Sequence, residues 1–207
     1  MFPFDVILFD VGGVLLTNGW DHRERAALME RFHLDGAAFE AHHAKVFQAW
    51  ERGEITRDEY LDAAVFYEPR SFSRDEFFQA ICAQSELLPD GAIGVLKQLA
   101  AFHPCRLGSL NNEARETNEF RLEHFGLRAY LEFTFTSCYM GLRKPDPAIY
   151  RRALSILGSQ AERALFIDDR AENVAAAVSV GMIAIQFTGA DALRSELEDL
   201  GVLQGIS

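Results

Sequence analysis

Short runs of consecutive apolar residues alternate in this chain with segments of helical periodicity. The run Val6–Phe9 contains no polar residue and ends at Asp10, which is typical of a strand that is covered on both faces. After residue 89 the pattern predicts further strands at 106–109, 133–137, 164–167 and 183–187. Helices are predicted at 93–102, 113–125, 147–157 and 172–180. This alternation predicts an α/β fold with a parallel sheet and right-handed crossovers.

The segment from residue 17 to residue 88 contains helical patterns and no strand pattern. One helical face is formed by residues at helical spacing, namely Phe39, His43, Val46, Phe47 and Trp50. Thr56–Glu59 and Ser73–Glu76 each match a capping box at the start of a further helix. We therefore predict an all-helical domain of residues 17–88, inserted into a core of residues 1–16 and 89–207. The aromatic stripe is either the core of this helical domain or the lining of a ligand site.

Charge and composition exclude several classes of partner. The chain has 207 residues, with 20 Lys and Arg against 31 Asp and Glu, a net charge of −11. Such a surface repels nucleic-acid phosphates and anionic lipid, although a local site can still bind a small anion. No apolar run is long enough for a membrane span, and we expect no signal peptide. The separated cysteines, Cys82, Cys105 and Cys138, are expected as free thiols in the cytoplasm.

Residues capable of chemistry follow the predicted strands. In an open α/β sheet, ligands bind beyond the carboxyl ends of the strands. The polar residues at these positions are Asp10, Ser109, Asn111, Asn112, Lys144, Asp168 and Asp169. Each alone is an ordinary turn or cap residue, and their joint order is what indicates a site. Crowded carboxylates favour a divalent cation such as Mg²⁺, a lysine steadies a transferring phosphoryl group, and a carboxylate can act as a covalent nucleophile.

Four segments of the chain resemble the motifs of the haloacid dehalogenase-like hydrolase superfamily. They are, in order, Ile7–Leu15, Leu107–Asn111, Gly141–Tyr150 and Phe166–Val174. The resemblance covers nearly the whole chain and implies a Rossmann-like α/β core with an all-helical cap inserted after the first motif. Within the superfamily, the sequence is similar to the glucose-1-phosphate phosphatase-like branch in its Gly12, its short length and its paired aspartates.

The resemblance also implies a role for each site residue. Asp10 is the nucleophile. The implied Mg²⁺ ligands are Asp10, the backbone carbonyl of Gly12, Asp168 and Asp169, with Asp169 binding directly or through water and Asn173 ordering the metal loop. The implied substrate-binding groups are Ser109 and Asn111, which face the phosphoryl group, and Lys144, which bridges the phosphate and Asp10; Ser109 and Lys144 also count as catalytic. The implied reaction is Mg²⁺-dependent hydrolysis of a small phosphorylated metabolite, such as a sugar phosphate, through an aspartyl-phosphate. The oligomeric state is not indicated.

One departure from the family pattern leaves alternatives open. Phosphatases of this superfamily usually carry a second Asp two residues after the nucleophile, as general acid and base, where this chain has Gly12. General acid–base help is typically worth about 10²–10⁴-fold in rate. Either the enzyme works without it, or another group such as His22 supplies the proton, or the protein is a catalytically weak binding or regulatory member. A 2-haloacid dehalogenase is the further alternative, although those enzymes lack paired residues like Asp168 and Asp169.

Overall fold

The computed structural model describes residues 2–102 and 104–203. Its strands are β1 (Val6–Phe9), β2 (Arg106–Asn111), β3 (Phe133–Thr136), β4 (Ala164–Asp168) and β5 (Ile183–Gln186). In this part of the chain they form one five-stranded sheet in the order β3-β2-β1-β4-β5, and all neighbours are parallel. The predicted Rossmann-like α/β class is confirmed.

Helices cover the sheet and also form the insertion that follows β1. Those of the insertion are α1 (His22–Arg31), α2 (Gly36–Glu51), α3 (Arg57–Ala64) and α4 (Arg74–Cys82). Those around the sheet are α5 (Ile93–Phe102), α6 (Arg115–His124), α7 (Ser137–Met140), α8 (Pro147–Leu157), α9 (Ala171–Ser179) and α10 (Ala190–Asp199), with 3₁₀ turns at Leu127–Ala129 and Ala161–Arg163. Within the described ranges, no helix is long and apolar enough to cross a membrane.

The central strand β1 is buried on both faces, which explains its continuous apolar sequence. Ile7 and Phe9 pack into the hydrophobic cluster on one side of the sheet, and Val6 and Leu8 pack into the cluster on the other. Because side chains alternate between the two faces of a strand, both faces must be apolar when helices cover both. The strand is thereby fixed at the middle of the sheet, and its carboxyl end points to the polar residues described below.

The strand and helix predictions hold in most places and fail in a few. The strand β2 continues to Asn111, two residues beyond its predicted end at Ser109, because Ser109 pairs with Phe9 and Asn111 still pairs with Thr136. The short helix α7 and the C-terminal helix α10 were not predicted. The cysteines carry free thiols, as expected, and the cytoplasmic location stays a prediction.

The helices α1–α4, which we call the cap helices, pack around a hydrophobic cluster of their own. Its fully buried members include Leu28, Tyr60 and Phe77. Both predicted capping boxes are present, at the starts of α3 and α4. The domain boundaries after residues 16 and 88 stay a prediction.

One member of the aromatic stripe, His43, is a buried titratable group. Its ring is stacked between those of Phe39 and Phe47, with centroid distances of 5.6 and 4.8 Å. Its Nδ1 lies 2.7 Å from the Tyr60 hydroxyl. Burial, together with the positive charge of Arg25, lowers the pKa of His43 to about 4. The folded cap therefore holds this imidazole neutral.

We expect His43 to make the cap sensitive to acid. An unfolded histidine has a pKa of about 6.5, so the unfolded chain takes up a proton first as the pH falls. The free energy of unfolding should therefore decrease between pH 7 and pH 4, by the order of 1–2 kcal/mol once solvent screening is allowed for. In urea titrations across this range, His43→Phe should show a shallower pH dependence than the wild type. His22→Gln is the control, since the His22 side chain is 81% exposed; equal slopes for wild type and His43→Phe would refute the assignment.

Candidate active site

The loops at the carboxyl ends of β1 and β4 bring carboxylates and an ammonium group together. Asp10 follows β1, Asp168 is the last residue of β4, and Asp169 comes next. Carboxylate oxygens of these three residues all lie within 4.8 Å of one another. Lys144, from the loop before α8, places its Nζ 2.9 Å from Asp10 Oδ1 and 2.6 Å from Asp168 Oδ2. Four of the predicted site residues are therefore in direct proximity.

Burial and charge shift the pKa values of these carboxyl groups in different directions. Burial raises the pKa of Asp10 to about 7, since the Lys144 charge offsets it only in part and the Asp168 charge adds to it. Burial alone would also raise the pKa of Asp168, but Lys144 and further hydrogen bonds hold it below its usual value. Burial and the neighbouring Asp168 raise the pKa of Asp169. One lysine thus leaves this cluster short of positive charge.

Asp168 is completely buried and its oxygens have protein partners. Its Oδ1 accepts hydrogen bonds from the backbone N–H of Arg170 and from Asn173 Nδ2, both at 2.9 Å. Its Oδ2 accepts from Lys144 Nζ and, at 3.1 Å, from Asn173 Nδ2. Asp168 therefore anchors Lys144, and Asn173 orients Asp168.

Asp169 differs from Asp168, because its Oδ1 is buried without a hydrogen-bond partner in the described part of the chain. A buried carboxylate oxygen without a partner carries a large desolvation cost. A divalent cation would satisfy it, and hard carboxylate oxygens are ligands that Mg²⁺ prefers. The residues present therefore fit the predicted magnesium ion.

The two glycines in the loop after Asp10 border different groups. Gly13 has a φ of +73°, and a Cβ there would lie 2.3 Å from Asp169 Oδ2, so this glycine leaves the space that the Asp169 carboxylate occupies. A Cβ at Gly12 would lie 3.0 Å from Asn18 Oδ1 and 3.9 Å from Arg121 Nη1. The space beside Gly12 thus faces an amide and a guanidinium group.

Ser109 and Asn111, the two β2 residues that were predicted to bind the phosphoryl group, are both buried. Ser109 is completely buried inside the strand, and its Oγ has no hydrogen-bond partner among the described residues. Asn111 is also buried, bonded to Asn118 and Thr136. Neither is among the described residues that line the cavity, and the same is true of Asp168 and Asp169. The phosphoryl-binding roles of Ser109 and Asn111 therefore stay predictions. Since β2 extends to Asn111, the first residue to reach the cavity is Asn112.

Asn112 fixes the backbone of Lys144. Its Nδ2 donates to the Lys144 carbonyl and its Oδ1 accepts from the Lys144 N–H, both at 2.8 Å. This paired contact closes the loop that carries Lys144 against the end of β2. The sequence signal for this contact is the Asn111-Asn112 pair at the end of a predicted strand. The family resemblance implied a role for Asn111 and none for Asn112.

A cavity of about 550 Å³ connects this cluster to the cap helices. On the core side it is lined by Asp10, Gly12, Asn112, Lys144 and Asn173, and on the cap side by Trp20, Arg25, Glu40, His43, Phe47, Trp50 and Glu51. In the aromatic stripe of α2, Phe39 belongs to the hydrophobic cluster of the cap and Phe47 lines the cavity, and the use of this stripe as a ligand site stays a prediction. His22 is not among the described lining residues, and its exposed side chain lies on the outer surface.

Polar contacts hold the cap helices against the core around this cavity. Arg143 Nε donates to Glu51 Oε2 at 2.6 Å, and Trp50 Nε1 donates to Glu116 Oε2 at 3.2 Å. Ser137 Oγ donates to the Glu51 carbonyl at 2.6 Å. The cavity is thereby covered on the side away from the sheet, a condition that favours charge-based catalysis by limiting water.

Known proteins with similar sequences include a hydrolase and a phosphatase. The chloroplast flavin mononucleotide hydrolase 1 of Arabidopsis thaliana is 34% identical over 163 residues, which cover 79% of this chain and 65% of that protein. This chain thus spans just under two thirds of that relative's length. A sesquiterpene phosphatase of Aspergillus oryzae is 27% identical over 201 residues, 95% of this chain and 96% of that protein.

Solved structures show a similar fold. A HAD family enzyme from Bacteroides thetaiotaomicron, solved with magnesium and inorganic phosphate, has a TM-score of 0.75 at 21% identity, covering 90% of this chain and 95% of that one. That identity supports the fold alone. The model of the haloacid dehalogenase-like hydrolase family matches residues 4–181. With most of its length matched in this way, the chain belongs to the haloacid dehalogenase-like hydrolases.

Proposed function

We propose that this protein hydrolyses small phosphomonoesters with the help of Mg²⁺, through an aspartyl-phosphate at Asp10. The observation that carries the proposal is the cluster of Asp10, Lys144 and Asp168 beside the unpartnered Oδ1 of Asp169. The names of the two relatives support phosphate-ester hydrolysis. The magnesium and phosphate in the structural neighbour support the metal.

The roles of the aspartates follow from their partners. Asp10 and Asp169 are the carboxylates that would hold Mg²⁺, together with the carbonyl of Gly12, while Asp168 is engaged by Lys144 and Asn173. The ion, when bound, supplies positive charge that offsets the carboxylates and the phosphoryl oxygens. The family resemblance implied direct metal binding by Asp168 and direct or water-mediated binding by Asp169. The present proposal gives the direct contact to Asp169, because its Oδ1 has no partner among the described residues.

The reaction uses the free oxygen of Asp10. The described contacts of this carboxylate to the Val11 N–H and to Lys144 both use Oδ1, so we assign the attack on phosphorus to Oδ2. The bond between phosphorus and the ester oxygen breaks, and the alcohol leaves with a proton from solvent or substrate. Water then attacks the aspartyl-phosphate, releasing inorganic phosphate and restoring the Asp10 carboxylate. Lys144 stabilises the charge on the transferring oxygens.

The cavity contains no carboxylic acid at Gly12 to protonate the leaving alcohol. The groups facing that space are the amide of Asn18 and the guanidinium of Arg121. A guanidinium stays protonated in proteins and cannot act as a general acid. It can stabilise a leaving oxygen by charge alone. The rate should therefore depend on how well the alcohol carries negative charge.

Replacing Asp10 with Asn should abolish turnover, because the amide is not a nucleophile. We expect kcat to fall by at least about 10³-fold, with the melting temperature unchanged or higher because a buried charge is removed. Asp35→Asn is the matched control, since Asp35 caps α2 from the surface and Asn caps equally well. Retained turnover in Asp10→Asn would exclude the proposed nucleophile.

Replacing Gly13 with Ala should weaken metal binding, because the new methyl group would displace the Asp169 carboxylate. We expect the Mg²⁺ concentration for half-maximal activity to rise about 10-fold or more. Gly126→Ala is the matched control, because Gly126 has a similar φ of +63° and open space around it. Equal Mg²⁺ dependence in the two variants would contradict the assignment of Asp169 as a metal ligand.

Chelation of the metal should abolish wild-type activity, and added Mg²⁺ should restore it.

Activity should also fall steeply across a series of phosphomonoesters as the pKa of the leaving alcohol rises. Initial rates at saturating Mg²⁺ measure this dependence, and equal rates would show that another group donates the proton. Metal binding without turnover of any ester would favour the binding-protein alternative. Chloride release from a 2-haloacid without metal would favour the dehalogenase.

A further inference from the structure

The cap side of the cavity is built from flat side chains that are stacked on one another. The ring of Phe47 lies 4.8 Å from that of His43, at an interplanar angle of 24°, and His43 stacks in turn on Phe39. Arg143, which belongs to the core, places its guanidinium over Phe47, 5.0 Å from the ring centroid, and we call these cap side chains together with Arg143 the cap wall. Phe47, His43 and Arg143 all line the cavity. The cavity is therefore bordered by flat side chains that are already stacked on one another.

A second group of rings is fixed beside this stack by hydrogen bonds. Trp20 Nε1 donates to the Tyr60 hydroxyl at 2.8 Å, and that hydroxyl lies 2.7 Å from His43 Nδ1. Trp50 stacks on Tyr60 with 4.1 Å between centroids and 10° between planes. Trp20 and Trp50 also line the cavity. Because these rings are held before any ligand enters, a stacking ligand would lose little free energy to ordering them.

The same wall carries ion pairs, which a purely apolar ligand would bury at a cost. Arg25 Nε lies 2.8 Å from Glu40 Oε1, and Arg143 Nε lies 2.6 Å from Glu51 Oε2. Covering such groups with a hydrocarbon removes water and supplies no hydrogen bond. A ring with nitrogen and oxygen atoms at its edge supplies both donors and acceptors. The lining therefore disfavours an isoprenoid chain and favours a polar, flat group.

From this lining we propose that the cap wall binds a flat aromatic heterocycle carried by the alcohol of the substrate, as in flavin or nucleoside phosphates. The proposal rests on the proposed phosphatase function for the placement of the phosphoryl group at Asp10 and Lys144. The volume of about 550 Å³ is within the usual range for small-molecule sites and exceeds what a short alkyl phosphate fills. Phe47 and Arg143 are the specificity-determining residues in this account.

The test compares esters that differ in the ring and share the phosphorylated chain. Flavin mononucleotide and ribitol 5-phosphate have the same phosphorylated polyol, so their kcat/KM ratio measures the contribution of the ring. Stacking of one ring on aromatic side chains is worth about 1–3 kcal/mol, which corresponds to a ratio of about 5 to 150. Farnesyl phosphate is the apolar comparison and should be the poorer substrate. Equal values for flavin mononucleotide and ribitol 5-phosphate, or a preference for farnesyl phosphate, would overturn the proposal.

Two variants locate the effect in the cap wall. Phe47→Leu keeps an apolar side chain and removes the ring, and Arg143→Lys keeps the charge and removes the flat guanidinium. Each should reduce the ratio for flavin mononucleotide over ribitol 5-phosphate about 5- to 10-fold. Phe102→Leu is the control, because Phe102 is half exposed at the end of α5 and is not among the described cavity residues. An unchanged ratio in both Phe47→Leu and Arg143→Lys would contradict the assignment, and the wild-type comparison stands even where a variant fails to fold.

Binding of riboflavin separates this proposal from the catalytic one. Riboflavin has the ring and no phosphate, so its binding requires neither Asp10 nor metal. We expect riboflavin fluorescence to be quenched on binding to wild-type protein, with a Kd about 5- to 10-fold weaker in Phe47→Leu. Quenching without turnover of any ester would refute the phosphatase and support the ring site. Ester turnover without riboflavin binding or ring preference would refute the ring site and leave the phosphatase intact.

Discussion

A buried ammonium group holds two carboxylates together at the centre of this protein. Lys144 Nζ contacts Asp10 and Asp168 at 2.9 and 2.6 Å, and the side chains of Lys144 and Asp168 are almost completely buried. Charges removed from water in this way need close partners, because an unpaired one costs several kcal/mol. The arrangement depends on the surrounding polar groups, since Asn173 orients Asp168 and Asn112 fixes the Lys144 backbone. The same cluster is still short of positive charge, which is why a divalent cation fits there.

Much of this arrangement follows from the sequence, because strand ends determine where loops meet. Val6–Phe9 is apolar throughout, so β1 had to be central, and the polar residues after it and after β4 had to share one edge of the sheet. Asp10, Asp168 and Asp169 could be selected on that basis, and Lys144 because its segment follows another predicted strand, β3. The sequence could not show which of these carboxylate oxygens have a protein partner. In the structure, Asp168 is hydrogen-bonded to Lys144 and Asn173, whereas Oδ1 of Asp169 has no partner among the described residues.

The end of β2 shows a limit that is set by strand register. The strand continues two residues beyond its predicted end, because sequence patterns locate strand ends poorly when the following residues are short and polar. The segment Ser109-Leu110-Asn111-Asn112 offered several hydroxyl and amide groups, and pairing with β1 and β3 keeps the first of them inside the sheet. The sequence also could not predict which cap residues line the cavity. Phe39 and Phe47 lie on one helical stripe, but Phe39 packs in the cap cluster and Phe47 lines the cavity.

The strong net negative charge of the chain is compatible with an anionic substrate, because the charge at the site is arranged locally. Lys144, Arg121 and Arg143 line the cavity, each paired with a carboxylate that also lines it, so a bound cation would supply the additional positive charge. The central claim is that Asp10 becomes covalently phosphorylated during turnover. The most direct measurement is acid quenching of the Mg²⁺-loaded enzyme during hydrolysis of a ³²P-labelled ester, followed by peptide mapping. The account predicts Mg²⁺-dependent label on the peptide that contains Asp10, whereas label on another residue, or rapid turnover with no labelled protein, would contradict it.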